Sequence, residues 1–184
     1  MTKPEHHLGL LLIDFQDCFL KVIPDNEYLL KRAAFAIEAA NLLGCSLIVA
    51  EQMPEKLGQT TDYLKQFFPD KTPIIAKSSF SVMGIRSFNE WIAQNQIDHL
   101  LMIGLETPIC LYQTTVHALG EEIGVTLLSD CIGERRSEDR GPALQQLLNM
   151  GAHILPSETI FYSLLGSSEH PKFREFTELV KKYA

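Results

Sequence analysis

Apolar and polar positions along the chain follow two alternating periodicities. Residues 8–13 form a continuous apolar run, Leu8 through Ile13, that ends on Asp14. This is the pattern of a strand covered on both faces of a parallel sheet. Between residues 26 and 43 the apolar side chains return at helical spacing (Leu29, Leu30, Ala33, Ala34, Ile37, Ala40, Leu43), and Gly44 supplies a stop. The alternation then repeats, with strands predicted over 46–50, 73–76, 99–103, 125–129 and 153–155. Helices are predicted over 85–94, over 108–121 with a proline in the first turn, over 139–150 and over 171–183. Residues 53–70 break the pattern and read as a loop over one end of the sheet.

Strands alternating with crossover helices predict an α/β fold: a three-layer, Rossmann-like parallel sheet of about six strands with helices on both faces. No composition shift, repeat or low-complexity linker interrupts the alternation, so a single domain over 1–184 is expected. The 184 residues are 46% hydrophobic and 21% charged, which excludes disorder and provides for a substantial core. Sixteen Lys and Arg against 23 Asp and Glu leave a net charge of -7, which argues against nucleic acid as a partner. No apolar stretch approaches the ~20 residues of a membrane helix, so no membrane partner is expected either. The N-terminal stretch reaches Asp14 before a signal-peptide core or cleavage site can be drawn, and a soluble, cytoplasmic protein is expected. His6 and His7 read as surface residues on a chain end. The apolar positions of the last helix, Phe173, Phe176, Leu179 and Val180, are read as exposed and point to a homo-oligomer.

In open parallel sheets, ligands gather outside the carboxyl ends of the strands, so chemistry is sought there. The first strand ends on Asp14, the second on Glu51-Gln52, the third on Lys77, and the fourth runs into the turn Gly104 to Cys110. Each residue alone has a bland explanation. Asp14 would be a cap or turn former, Lys77 a solvated surface lysine and Cys110 a small core side chain. Their joint placement at the same end of the sheet favours a site. The other cysteines, Cys18, Cys45 and Cys131, lie scattered with no CxxC pair and no histidine at ligand spacing, so neither a zinc site nor a disulfide framework is expected. Arg135 and Arg136, with Glu134, Glu138 and Asp139, read as a salt-linked helix start.

Three blocks, "LLLIDFQDCF", "AKSSFS" and "GLETPICLYQTTVHAL", carry a resemblance to the isochorismatase-like cysteine hydrolases, which include nicotinamidases and N-carbamoylsarcosine amidohydrolases. The first matches the family's apolar strand ending in Asp-x-Gln, and the second its Lys followed by Ser-x-Phe. The third matches Gly-x-x-Thr-x-x-Cys-x-x-x-Thr through Gly104, Thr107, Cys110 and Thr114. Downstream, "SDCIGERRSEDRGPAL" is similar to a segment of the isochorismatase domain-containing subgroup.

The resemblance implies Cys110 as nucleophile, Asp14 as general base and Lys77 as the cation that favours the thiolate. It also implies an oxyanion hole of backbone N–H groups at Glu106 and Cys110, and a cis peptide between Leu105 and Glu106. Independently, a thiol attacks only as thiolate, and a nearby ammonium and a helix N-terminus are expected to lower the Cys110 pKa. Phe15, Gln16, Phe19, Gln52, Phe80, Leu105, Thr107 and Ile109 are the candidate substrate pocket. The metal-binding histidines of the nicotinamidases have no counterpart in "AEQMPEKLGQTTDYL", so no metal and no cofactor are expected. The expected activity is hydrolysis of a small amide or related C–N bond through a thioester at Cys110. The alternatives are a catalytically silent scaffold acting through oligomer or partner contacts and a thiol redox sensor.

Overall fold

The computed structural model describes residues 7–184; the N-terminal stretch and His6 discussed above lie outside the described residues, while His7 is exposed. Six strands, β1 (Leu8–Ile13), β2 (Ser46–Gln52), β3 (Ile74–Lys77), β4 (His99–Leu105), β5 (Gly124–Gly133) and β6 (His153–Leu155), form one parallel sheet. Their order is β3-β2-β1-β4-β5-β6. β1 pairs with β2 on one side and β4 on the other. Leu10, Leu11, Leu12 and Ile13 are therefore fully buried from both faces, which explains why the run is continuous rather than alternating.

The pleat sends alternate residues of β1 into two cores. Leu10 and Leu12 pack with α2 (Asn26–Leu42), α8 (Ser157–Leu165) and α9 (Phe173–Tyr183), through Phe35, Phe161 and Phe176. Leu11 and Ile13 pack with α5 (Arg86–Gln94), α6 (Tyr112–Gly120) and α7 (Ser137–Asn149), through Phe88, Trp91, Ala118 and Leu147. This is the expected layering, a parallel sheet with helices on both faces. No helix among the described residues is long and apolar enough to cross a membrane.

Several local features differ from the expectation. The interval 53–70 holds two one-turn helices, α3 (Pro54–Leu57) and α4 (Asp62–Lys65), and a further turn, α1 (Asp17–Leu20), follows β1. The helix α8 carried no recognised signal. β5 runs to Gly133 because the β4–β5 register slips, Met102 facing Leu127 and Gly104 facing Ile132. The helix expected over 108–121 is a π-helical turn, Thr107–Leu111, leading into α6.

The C-terminal helix also corrects an expectation. Phe176 is fully buried, and Phe173, Leu179 and Val180 pack against the same core. Phe35 of α2 meets Phe161, Phe176 and Tyr183 with ring centroids 5.9 Å apart in each pair. Aromatic contacts within the chain satisfy the apolar face of α9, so that face is not a free surface for self-association.

Candidate active site

The carboxyl ends of β1, β3 and β4 deliver the three residues singled out from the sequence. Asp14 follows β1 in the left-handed region (φ 60) and donates its backbone N–H to Ala50 O at 3.0 Å, which ties the turn to β2. Lys77 is the last residue of β3, and Cys110 is the fourth residue of the π-helical turn. All three are buried, at 2%, 3% and 5% exposure respectively. Lys77 Nζ lies 2.8 Å from Asp14 Oδ2, 2.6 Å from Gln52 Oε1 and 3.5 Å from Cys110 Sγ. An ammonium has three N–H donors, and each of them faces an acceptor.

The titration behaviour departs from the expectation of an acidified thiol. Burial pushes the Cys110 thiol up, the Asp14 carboxylate pushes it further, and Lys77 pulls it down without prevailing, leaving it at about 12. Burial also raises the Asp14 carboxyl, against the opposing pull of Lys77, Cys110 and the Gln52 backbone. Water exclusion disfavours both anions, and only one negative charge is well matched to one ammonium. Asp14 Oδ1 is buried and accepts no hydrogen bond of ordinary geometry among the described residues. The Cys110 thiol and this carboxylate are close enough to shift each other's titration.

The turn that carries Cys110 is built without a cis peptide. All described peptide bonds are trans, including Leu105–Glu106, which corrects the expectation. The chain instead changes direction through Gly104 (φ 156) and through Glu106, which adopts the left-handed conformation (φ 55, ψ 68) at the head of the π-helical turn. Gly104 is required there, because a Cβ would stand 2.4 Å from Ile13 O of the neighbouring strand. The Glu106 side chain is buried, with Oε1 3.8 Å from Arg135 Nε, and burial raises its carboxyl. Arg136 pairs with Glu138 and Asp139 at the start of α7.

The residues read as a substrate pocket separate into three groups. Phe15 and Leu105 are fully buried in the α2-side core, and Phe19 packs against it, so these three are core contacts. Thr107 is fully buried and donates its hydroxyl to Gly133 O at 3.2 Å. Gln16 and Gln52 are buried, and the Gln16 side-chain amide donates to Gln52 O and accepts from Gln52 N at the end of β2. Ile109 is partly buried against the α5-side core, while the Phe80 ring is 51% exposed. A cavity of about 250 Å³, lined by residues 53–56 and 76–78, reaches Lys77. Residues 53–56 belong to the stretch expected as a loop over one end of the sheet, and they supply part of this lining. Glu51, beside Gln52 at the end of β2, is buried and accepts the Thr60 N–H at 2.7 Å.

Among the described residues, no group of three or more His, Cys, Asp and Glu side chains could hold a metal ion. The four cysteines are free thiols, and burial pushes Cys45 up to about 11.

The Isochorismatase domain model matches residues 9–159. Isochorismatase domain-containing protein 2 of Bos taurus is 31% identical over 173 residues, which cover 94% of this chain and 82% of the relative. The structure of MAR1 ribonuclease from Caenorhabditis elegans superposes with a TM-score of 0.90 at 31% identity, covering 95% of this chain and 90% of that one. The fold is also shared with the YcaC gene product of Escherichia coli, an octameric hydrolase of unknown specificity (TM-score 0.83, 19% identity, 99% of this chain and 98% of that one). A domain model that matches most of the chain and a relative 31% identical over 94% of it show that the chain belongs to the isochorismatase domain family.

Proposed function

We propose that the protein is a metal-independent cysteine hydrolase that cleaves a small amide or related C–N bond through a thioester on Cys110. The observation that carries this reading is the single ammonium, Lys77 Nζ, in contact with both the Asp14 carboxylate and the Cys110 sulfur in a buried setting. Because burial and Asp14 hold Cys110 as a thiol, the thiolate forms during attack rather than at rest. Asp14 accepts the thiol proton as the sulfur bonds to the substrate carbonyl carbon. The oxyanion is held by backbone N–H groups at Glu106 and Cys110. Asp14 then gives the proton to the departing amine as the C–N bond breaks. In the second half, Asp14 takes a proton from water, the hydroxide attacks the thioester, and Cys110 leaves and regains its proton. The upward shift of the Asp14 carboxyl is in the direction that suits a group which must both take and give a proton.

A second reading comes from the name of the Caenorhabditis elegans relative, a ribonuclease. The net charge of -7 weighs against an RNA-binding surface. We also propose a homo-oligomer, a reading supported by the octameric relative rather than by α9. Ammonia or amine release from a panel of small amides, run beside RNA oligonucleotides, separates the readings. Turnover of an amide that Cys110→Ala abolishes supports the hydrolase. RNA cleavage that survives in Cys110→Ala, or no turnover of any amide by the wild type, overturns it.

A further inference from the structure

Lys77 can serve Asp14 and Cys110 together only if its long, flexible side chain is held in one place. Two of its three acceptors are the reacting groups themselves. The third, Gln52 Oε1, is the nearest of the three at 2.6 Å. Gln52 is at the end of β2, the strand between β1 and β3, so it lies between the strand ends that supply Asp14 and Lys77.

The Gln52 amide cannot turn over freely. Its Nε2 donates to Ser78 O at 3.0 Å, which fixes Oε1 toward the ammonium, and a flipped amide would set N–H groups against N–H groups. The backbone beneath it is held as well. Gln52 N donates to Gln16 Oε1 at 2.7 Å, and Gln16 Nε2 donates to Gln52 O at 3.0 Å. The same Gln16 nitrogen donates to Gly58 O, which ties the loop after β2 into the brace. Gln16 is fully buried and Gln52 is 7% exposed, so water does not compete for these bonds. The hydrogen-bond chain runs Gln16, Gln52, Lys77, and then to Asp14 and Cys110.

We propose that Gln52 is a positioning residue that holds the Lys77 ammonium against Asp14 and Cys110, with Gln16 acting through Gln52. The inference rests on the cysteine-hydrolase reading, because it assigns how the cation of that site is kept in register. Neither glutamine touches the reacting atoms. A conserved volume without the acceptor, as in Gln52→Met, leaves Lys77 free to leave the sulfur.

The test is the pH profile of Cys110 alkylation by iodoacetamide, read by peptide mass spectrometry, which needs no substrate. Wild type, Gln52→Met, Gln16→Met and Lys77→Met are compared, with thermal melting to confirm that each is folded. Loss of a hydrogen bond to a charged group predicts that Gln52→Met slows Cys110 alkylation about tenfold at a given pH, by moving the midpoint upward. Gln16→Met is expected to shift it in the same direction by less, and it decides the question if Gln52→Met does not fold. A folded Gln52→Met with the wild-type profile, beside a shifted Lys77→Met, overturns the positioning role alone. Wild-type profiles in both Gln52→Met and Lys77→Met overturn the cysteine-hydrolase reading beneath it.

Discussion

The Lys77 ammonium lies 2.8 Å from the Asp14 carboxylate, and the two side chains are 0% and 2% exposed. They stand at the ends of β3 and β1, with β2 between them. A buried pair of this kind is a poor source of net stability, because desolvation offsets much of its attraction. Its presence at the strand ends fits the roles proposed above for the pair beside Cys110.

Removing the cation exposes that balance. In Lys77→Met, Asp14 is left without its ammonium, and its already raised carboxyl rises further. An acid whose folded pKa lies above the unfolded value loses stability as pH rises through the interval between the two. The variant is therefore expected to be destabilised by about 3–5 kcal/mol near pH 7.5, less near pH 4.5. Urea unfolding at the two pH values checks the sign; equal losses at both would show that the Asp14 charge is not what the lysine compensates.

Asp130 predicts the opposite pH dependence on the far side of the sheet. Burial alone would raise its carboxyl, yet hydrogen bonds from Ser157 and Arg32 prevail and hold it below the usual range. It accepts the Ser157 N–H at 2.7 Å, the Ser157 hydroxyl at 2.6 Å and Arg32 Nε at 2.8 Å, joining the start of α8 to α2. A depressed folded pKa contributes stability above the unfolded pKa that is lost as pH falls through the folded one. Asp130→Asn is expected to cost about 2 kcal/mol at pH 7, with the difference shrinking below pH ~4. Thermal or urea melts of both proteins across pH 3–7 follow it.

Gly104 connects the fold to the site. A methyl group there meets Ile13 O at 2.4 Å and Ile13 Cβ at 2.9 Å, in the residue that precedes Asp14. Gly104→Ala must push β1 and β4 apart just below the carboxylate. It is expected to lower stability by about 1–3 kcal/mol and to change Cys110 alkylation as well. A melt together with the alkylation rate distinguishes this from Gly141→Ala, where a Cβ meets nothing within 4 Å.

Much of the layering was legible because β1 is buried on both faces and its neighbours repeat the pattern. The placement of Asp14, Lys77 and Cys110 at one end followed from strand ends and the family's motifs. What escaped depended on contacts that a linear pattern does not carry. The helix α8 begins on Ser157 because Asp130, 27 residues earlier, accepts its N–H. Phe15 and Leu105 lie beside site residues in sequence, yet both side chains are buried in the core. Gln52 read as a pocket border because its partner Lys77 is 25 residues away on the next strand. The acidified thiol was expected from the nearby ammonium, while burial and the Asp14 charge, both tertiary, decide the direction.

Asp14 and Lys77 shift the Cys110 thiol in opposite directions, and the proposed reaction makes Asp14 the acceptor of its proton. The most direct measurement is the rate of Cys110 alkylation across pH 6–10 in wild type and Asp14→Asn. Removing the neighbouring negative charge is expected to lower the thiol pKa and speed alkylation about tenfold or more at pH 7.5, while abolishing amide turnover. An Asp14→Asn variant that alkylates no faster than wild type, or that still turns over, would contradict the account.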